Sequence, residues 1–361
     1  ARRELNAASE NPGTFCLSVA QFWVTGTIAI QPIITTQWTL NDTATPGADV
    51  YGLYAGLNEW WNTSWQYRMP INITENSGSA LTNYQVPITI NTTTFNYSKA
   101  NASGNDIRFA TDSTQCDYWI ETWNTSGQSK LWVEVPSLPA NRTTTIYMYY
   151  GNSGASAASN GANTFLFFDD ASVNNSANYT LRNLYNAGVN ATLSWVNASS
   201  GYKITTTDDE VMAEINALAA AGAYRLKVSL LVPVINATTT NAQMGIAMRY
   251  STSGVYYGRS IQSPVNSIKW IDICKEPIPP NTSVTILAST NYTNYATANT
   301  WYKAEATAYG NTLYFWHEHE NRSVSVADAS YGSGTWGIYA AYGPGAVDTY
   351  FKGISVGKYV S

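Results

Sequence analysis

The sequence predicts an all-β protein, an extended N-terminal arm followed by two β-sandwiches. Three observations carry this expectation. Between Phe22 and Leu40 the apolar residues keep a period of two. Downstream, short alternating runs are separated by Ser-Gly, Ala-Asn and Pro-Ala turns. Further on, Arg225, Lys227 and Ser229 oppose Leu226, Val228 and Leu230, again at period two. Alternation of this kind lines one face of a sheet with apolar side chains, whereas a helix would scatter them around its surface.

The arm comes first. Residues 1–14 form a polar, turn-rich leader. Phe22, Val24, Ile28, Ile30, Ile34, Trp38 and Leu40 then fall on even positions, with Gly26 and Pro32 as gaps. At about 3.3 Å per residue this stretch would span roughly 60 Å, too long for one sandwich strand. Pro32 lacks an N–H, so two strands in line are expected, over residues 18–31 and 33–41. No Asn-Gly or Asp-Gly turn follows to fold them into a hairpin. The apolar face needs a partner, and the expected one is a sheet of a neighbouring copy, since an added strand supplies main-chain hydrogen bonds and alternating side chains. A head-to-tail contact that does not close makes a homopolymeric filament. Packing of the arm on its own chain as edge strands is the alternative. From Asn41 to Ser64, Thr45-Pro46-Gly47 and then Trp60-Trp61 read as a connector that folds against the next domain through its aromatics. Arm and connector together occupy residues 1–64.

Charged residues make up only 12% of the chain, about half the usual share. A net charge of −5 leaves no basic footprint for nucleic acid. The polar surface must come from Asn, Thr, Ser and Tyr, and Asn-x-Ser/Thr sequons are abundant. They occur at Asn41, Asn62, Asn72, Asn91, Asn96, Asn101, Asn124, Asn141, Asn174, Asn178, Asn190, Asn197, Asn236, Asn281, Asn291 and Asn321. In aggregate they imply export, and covalent N-glycans that replace charge as the solubilising layer. The competing explanation is that Asn and Thr are common in turns and strands. The opening Ala1-Arg2-Arg3-Glu4, without a signal segment, predicts a processed chain at the cell surface. No window offers the roughly 18 uninterrupted apolar residues of a membrane span. A type IV pilin would open on a long apolar helix, whereas this chain reaches Pro12-Gly13 early. Three cysteines, Cys16, Cys116 and Cys274, leave one thiol over or bond subunits together. Cys16 on the arm would staple the contact by bridging to Cys116 or Cys274 of the next copy; buried free thiols are the alternative.

From Trp65 a series of motifs appears: Trp65-Gln66-Tyr67-Arg68-Met69-Pro70-Ile71, Asn105-Asp106-Ile107-Arg108-Phe109, Tyr118-Trp119-Ile120-Glu121, and Ile146-Tyr147-Met148-Tyr149-Tyr150-Gly151-Asn152. In this order and spacing they resemble a domain family of unknown function found in archaeal and bacterial surface and secreted proteins. The resemblance implies a small β-sandwich over residues 65–151, without established catalytic residues and often placed before a lectin-like domain. Asp106 and Arg108 alternate on one strand and are expected to make an ion pair or turn contacts. Residues 152–164 have the composition of a flexible linker. Residues 165–361 resemble the concanavalin-like, laminin-G-like jelly rolls, through a pattern of strands including Tyr224-Arg225-Leu226-Lys227-Val228, Gly245-Ile246-Ala247-Met248, Leu313-Tyr314-Phe315-Trp316 and Tyr350-Phe351-Lys352-Gly353-Ile354. Over Asp208 to Ala223, Val211, Ile215 and Leu218 fit helical spacing behind acidic residues, which predicts one short helix.

Few constellations suggest chemistry. His317-Glu318-His319-Glu320 puts two histidines on one strand face, as metal ligands would be, but these are the only histidines and the string falls where a hairpin would turn. A solvated hairpin is the expectation. A glycosidase needs two carboxylates about 5–10 Å apart, and the Glu-x-Asp-x-x-Glu string of jelly-roll glucanases is missing. Asp208-Asp209-Glu210 and Asp169-Asp170 are neighbours whose side chains point apart, so no enzyme is expected. Tyr256, Tyr257, Trp270, Trp301 and Trp316 are candidates for stacking on sugar, with core positions as the alternative. Some laminin-G-like domains hold calcium through carboxylates, and Asp169 and Asp348 are the matching residues here. Together these features predict a glycosylated extracellular filament subunit joined by its arm. The alternative is a carbohydrate-binding adhesin acting as a monomer.

Overall fold

The computed structural model describes residues 60–184, 191–206, 210–231, 241–278, 284–341 and 347–360, all within one compact unit. The arm residues Phe22 to Leu40, Cys16, and the sequons at Asn41, Asn190, Asn236 and Asn281 lie outside the described residues.

The protein is all-β, with antiparallel sheets throughout. The first sandwich contains β1 (Tyr67–Thr74), β2 (Leu81–Asn91), β3 (Arg108–Ala110), β4 (Gln115–Cys116), β5 (Tyr118–Thr122), β6 (Gln128–Leu138) and β7 (Thr143–Tyr150). One sheet runs β1-β7-β3-β4 and the facing sheet β2-β6-β5. Alternate residues fill the space between them, among them Ile88, Ile90, Phe109, Tyr118, Leu131, Val133, Ile146 and Met148. As the aromatic connector suggests, Trp60 and Trp61 pack on the outside of the first sheet, with ring centroids each 5.5 Å from Tyr149. Arg68 places its guanidinium 4.9 Å from the Trp60 ring and 4.3 Å from Tyr147. Asp106 and Arg108 make turn contacts. The Asp106 carboxylate accepts from the N–H groups of Asn101 and Gly151, and Arg108 donates to Ile107 O and Ser156 O.

Small polar residues dominate 151–163, yet this stretch is tied to the first sandwich by Gly151 and Ser156 as above. Asn160 N donates to Tyr118 O, and Ile120 N to Ser159 Oγ at 2.8 Å. Asn160 then caps a single helical turn, α1 (Gly161–Thr164), through its side-chain oxygen.

The second sandwich contains β8 (Phe167–Asp169), β9 (Tyr179–Asn183), β10 (Ala191–Asn197), β11 (Gly201–Thr206), β12 (Glu210–Ile215), β13 (Tyr224–Leu231), β14 (Ala242–Ser251), β15 (Gly254–Ser263), β16 (Ile268–Pro277), β17 (Thr285–Asn291), β18 (Tyr302–Tyr309), β19 (Thr312–His317), β20 (Arg322–Ala327), β21 (Thr335–Ala341) and β22 (Val347–Lys358). One sheet runs β10-β11-β22-β13-β18-β19-β20, with β8 also on β22. The other runs β17-β16-β15-β14-β21-β12-β9. Leu226, Val228, Ile246, Phe315, Trp336, Ile338 and Phe351 pack between them. Two sheets face to face with this jelly-roll-like layering match the expected class.

One sequence expectation fails here. Glu210 to Ile215 is a strand, not part of a helix. Val211, Ala213 and Ile215 also fit a period of two, and β12 is laddered on both sides, by β21 and β9. Two rows of main-chain hydrogen bonds outweigh a weak helical spacing.

The two sandwiches meet sheet to sheet. Trp132 and Glu121 on the three-stranded sheet face Lys227 and Lys303 on the eight-stranded one, and Trp119 and Trp132 pack on Phe165. Near the end of β22, Lys358 N donates to Gln85 Oε1 and its ammonium to Thr82 O.

Candidate functional site

The seam between the sandwiches opens into a cleft of about 450 Å³. Its floor is one carboxylate. Glu121 at the end of β5 has a side chain only 9% exposed, yet it meets Lys227 Nζ at 3.0 Å, Lys303 Nζ at 3.1 Å and Lys130 Nζ at 3.5 Å. Trp132 Nε1 donates to the same carboxylate at 2.9 Å. Burial favours the protonated form of Glu121, but Lys227, the indole and Lys130 outweigh it and hold its pKa down at about 2. The three ammoniums share the Glu121 carboxylate. Lys227, the driest of them, is therefore pushed down to about 8 by its burial. The walls carry Tyr314 and Trp316 from β19, both half-buried, beside Glu305, Glu318 and Gln128. Trp316 Nε1 donates to Asn321 Oδ1 at 2.7 Å, which fixes its ring.

A second polar group lies on the outer face of the seven-stranded sheet. Asp272, Cys274 and Glu276 alternate along β16 and so share that face with Tyr257 and Arg259 of β15. Arg259 pairs with Asp272 at 3.0 Å and reaches Gln243 at 2.6 Å and Tyr339 at 3.2 Å. Tyr257 and Tyr339 stack with centroids 4.4 Å apart. The Tyr257 hydroxyl lies 3.3 Å from Glu276 and 3.5 Å from Glu210. Burial, then the Glu210 charge and a hydrogen bond to it, push Glu276 up to about 8. No local pattern joins Glu210 on β12 to Glu276. The signal that was present is the i, i+2, i+4 spacing of Asp272, Cys274 and Glu276.

The structure separates the other sequence candidates. Asp169 is buried and accepts hydrogen bonds from the hydroxyls of Tyr179 and Tyr202, each at 2.8 Å, and from Ala171 N. Asp348 accepts from Thr205 Oγ1 and lies 3.3 Å from Lys203 Nζ. Asp169 sits opposite Ile354, six residues along β22 from Asp348, roughly 20 Å away. The two are not brought together as calcium ligands. Among the described residues no group of three or more His, Cys, Asp or Glu converges as a metal site. The His317 string does fall at a hairpin, between β19 and β20, but His317 is not solvated. It closes the inward series Leu313, Phe315, His317, is fully buried, and shares a 2.8 Å hydrogen bond with the Tyr292 hydroxyl. Burial pushes its pKa down to about 3. His319 instead bonds Asn294 O.

Tyr256 and Tyr257 are buried, and Trp270 donates to Asp272. Lys352 covers Trp301 at 4.2 Å, which leaves Trp316 as the cleft aromatic among the five. Cys116 and Cys274 are both free and buried, and burial raises the Cys116 thiol to about 11. Neither presents a sulfur at the surface for a bridge from Cys16. Of the described sequons, Asn72, Asn96, Asn124, Asn141, Asn174, Asn178, Asn197, Asn291 and Asn321 are exposed, and Asn62, Asn91 and Asn101 half-exposed.

A family model described as a domain of unknown function (DUF2341) matches residues 103–184, less than a quarter of the chain. Among curated proteins no sequence matches. Similar solved structures include the carbohydrate-binding module CBM66 from Bacillus subtilis, 11% identical over 48% of this chain and 98% of that chain, with a TM-score of 0.36. Arcelin-5, a lectin-like defence protein from Phaseolus vulgaris, is 10% identical over 54% and 98%, with a TM-score of 0.36. A GH16 protein from Bacteroides ovatus is 11% identical over 53% and 100%, with a TM-score of 0.38.

Proposed function

We propose that this chain is an extracellular, N-glycosylated protein that binds carbohydrate in the cleft at the seam. The cleft itself carries the reading. Its volume lies in the range of small-ligand sites, and such sites favour domain interfaces. Its lining joins two aromatic faces to fixed carboxylates and ammoniums, and a pyranose presents matching chemistry, with C–H faces for the rings and hydroxyls for the charges. The experiment is a glycan array with the full chain, followed by calorimetry of the best hit on the parent and on Trp316→Ala. Loss of at least ten-fold in affinity is expected for the variant. An empty array, or a hit that Trp316→Ala binds as well as the parent, overturns the reading.

A second reading is a filament subunit joined by strand donation from the arm. Among the described residues β10 and β17 end the sheets of the second sandwich and carry no charge, which favours it, since an end left bare of glycan could accept an added strand. Electron microscopy of the intact chain beside one lacking residues 1–41 tests it. Fibres from the first and dispersed folded particles from the second are expected; monomers from both overturn it.

A further inference from the structure

The sheet ends and the sequons coincide. Among the described residues nine strands have a neighbour on one side only: β1 and β4, β2 and β5, β10 and β20, β17 and β9, and β8, which pairs with β22 alone. Asn72 lies within β1, while Asn91, Asn197 and Asn291 are the last residues of β2, β10 and β17. Asn178 directly precedes β9, and Asn321 directly precedes β20. The three remaining ends are short or covered. β4 is two residues long and β8 three, and the outer edge of β5 is bonded by Ser159 and Asn160. No other described strand contains a sequon asparagine, although those strands are the larger set.

We propose that N-glycans at Asn72, Asn91, Asn178, Asn197, Asn291 and Asn321 cap the sheet ends and prevent their pairing with another chain. The inference rests on the reading of the chain as a glycoprotein. A sheet end presents unpaired N–H and C=O groups, and proteins usually guard it with lysine, proline or a bulge. Here the six strands contain no lysine of their own, although Lys358 of β22 reaches Thr82 O on β2, and β2, β10 and β17 contain no charge at all. Only Pro70 on β1 and Pro87 on β2 remove an edge donor. β17 even leaves Ile286 49% exposed. An incoming strand must settle about 4.8 Å from the edge, in the volume that a branched glycan rooted there sweeps out.

The local geometry suits attachment. Asn91 Oδ1 accepts from Thr93 N at 2.9 Å and Asn197 Oδ1 from Ser199 N at 3.0 Å, which leaves each Nδ2 without a partner among the described residues. Attachment joins Nδ2 to the anomeric carbon of an activated glycosyl-phosphate donor; the phosphate leaves and the amide gives up one proton.

The test uses the full chain from a host that N-glycosylates. One variant carries Asn→Gln at the six edge sequons. A second carries Asn62→Gln, Asn96→Gln, Asn101→Gln, Asn124→Gln and Asn174→Gln in the loops. A third keeps the six edge asparagines and replaces Thr74, Thr93, Thr180, Ser199, Thr293 and Ser323 by alanine, which removes the glycans while the asparagine side chains stay in place. Intact mass reports occupancy, melting reports folding, and light scattering with thioflavin T reports strand-mediated association. Several-fold faster loss of monomer from both edge variants, with the loop variant like the parent, is the expected result. A glycosylated parent whose edge and loop variants behave alike overturns the capping role alone. A parent with the mass of the bare polypeptide that stays monomeric overturns the glycoprotein reading and the capping role with it.

Discussion

Replacing Glu121 by glutamine removes one charge and keeps the shape, and the structure gives the size of the effect. Of its three lysine partners, Lys303 and Lys130 have side chains 46% and 36% exposed, so each of those pairs contributes at most about 1 kcal/mol. Lys227 is different, at 12% exposure and 3.0 Å. Removing one partner of a fully buried pair costs about 3–5 kcal/mol, and the residual solvent at this seam lowers that to about 2–3 kcal/mol. For a unit of this size the melting temperature should fall by about 4–6 °C at pH 7. The pH dependence supplies a second check. The folded carboxyl is depressed from 4.5 to about 2, so its contribution is complete above pH 4.5 and is lost as pH falls through that window toward 2. Differential scanning calorimetry of parent and Glu121→Gln from pH 7 to pH 2.5 should show the gap closing below pH 4.5. A gap under 1 °C at pH 7, or one that stays constant down to pH 2.5, would refute the seam account.

Three other measurements follow from the buried groups. Glu276 keeps its proton to about pH 8 when folded but releases it near 4.5 when unfolded, so its contribution makes stability fall as pH rises between those values. Denaturant titration should find Glu276→Gln within about 1 kcal/mol of the parent at pH 5, and more stable than the parent at pH 8. His317 stays neutral down to about pH 3, whereas the unfolded imidazole protonates near 6.5, so it destabilises the fold as pH drops below 6.5. Its ring resonances should stay flat between pH 7 and pH 4 by NMR; a midpoint near 6 would contradict its burial. A Cβ on Gly258 would lie 2.3 Å from Phe315 Cγ in the core, so Gly258→Ala should lose about 1–3 kcal/mol in denaturant titration, and a neutral result would show that the core can yield there.

What the sequence made legible is what local alternation records. Leu226, Val228 and Leu230 face the core of β13 while Arg225, Lys227 and Ser229 face outward. Trp60 and Trp61 pack where an aromatic connector should. Local pattern was ambiguous at Val211, Ile215 and Leu218, where two periods fit and the ladders to β9 and β21 decided between them. His317 is polar, yet it shares the parity of Leu313 and Phe315, and that parity decides its burial. The cleft had no local signature. Glu121 comes from one sandwich, and Lys227 and Lys303 from another, 106 and 182 residues away. Such a meeting depends on how two sheets dock. In the same way, only the strand order showed that the sequon asparagines at 72, 91, 197 and 291 lie at sheet ends.

β22 runs through the middle of the eight-stranded sheet, with β11 and β8 along one side and β13 along the other. A tensile load applied along its axis cannot peel it away one bond at a time. It must slide past both neighbours together, so the hydrogen bonds of two ladders resist in parallel, in shear. Because Lys358 also grips Thr82 and Gln85, the same slip would strain the docking of the small sandwich. That places high mechanical resistance along one strand, and its failure would take the seam cleft with it.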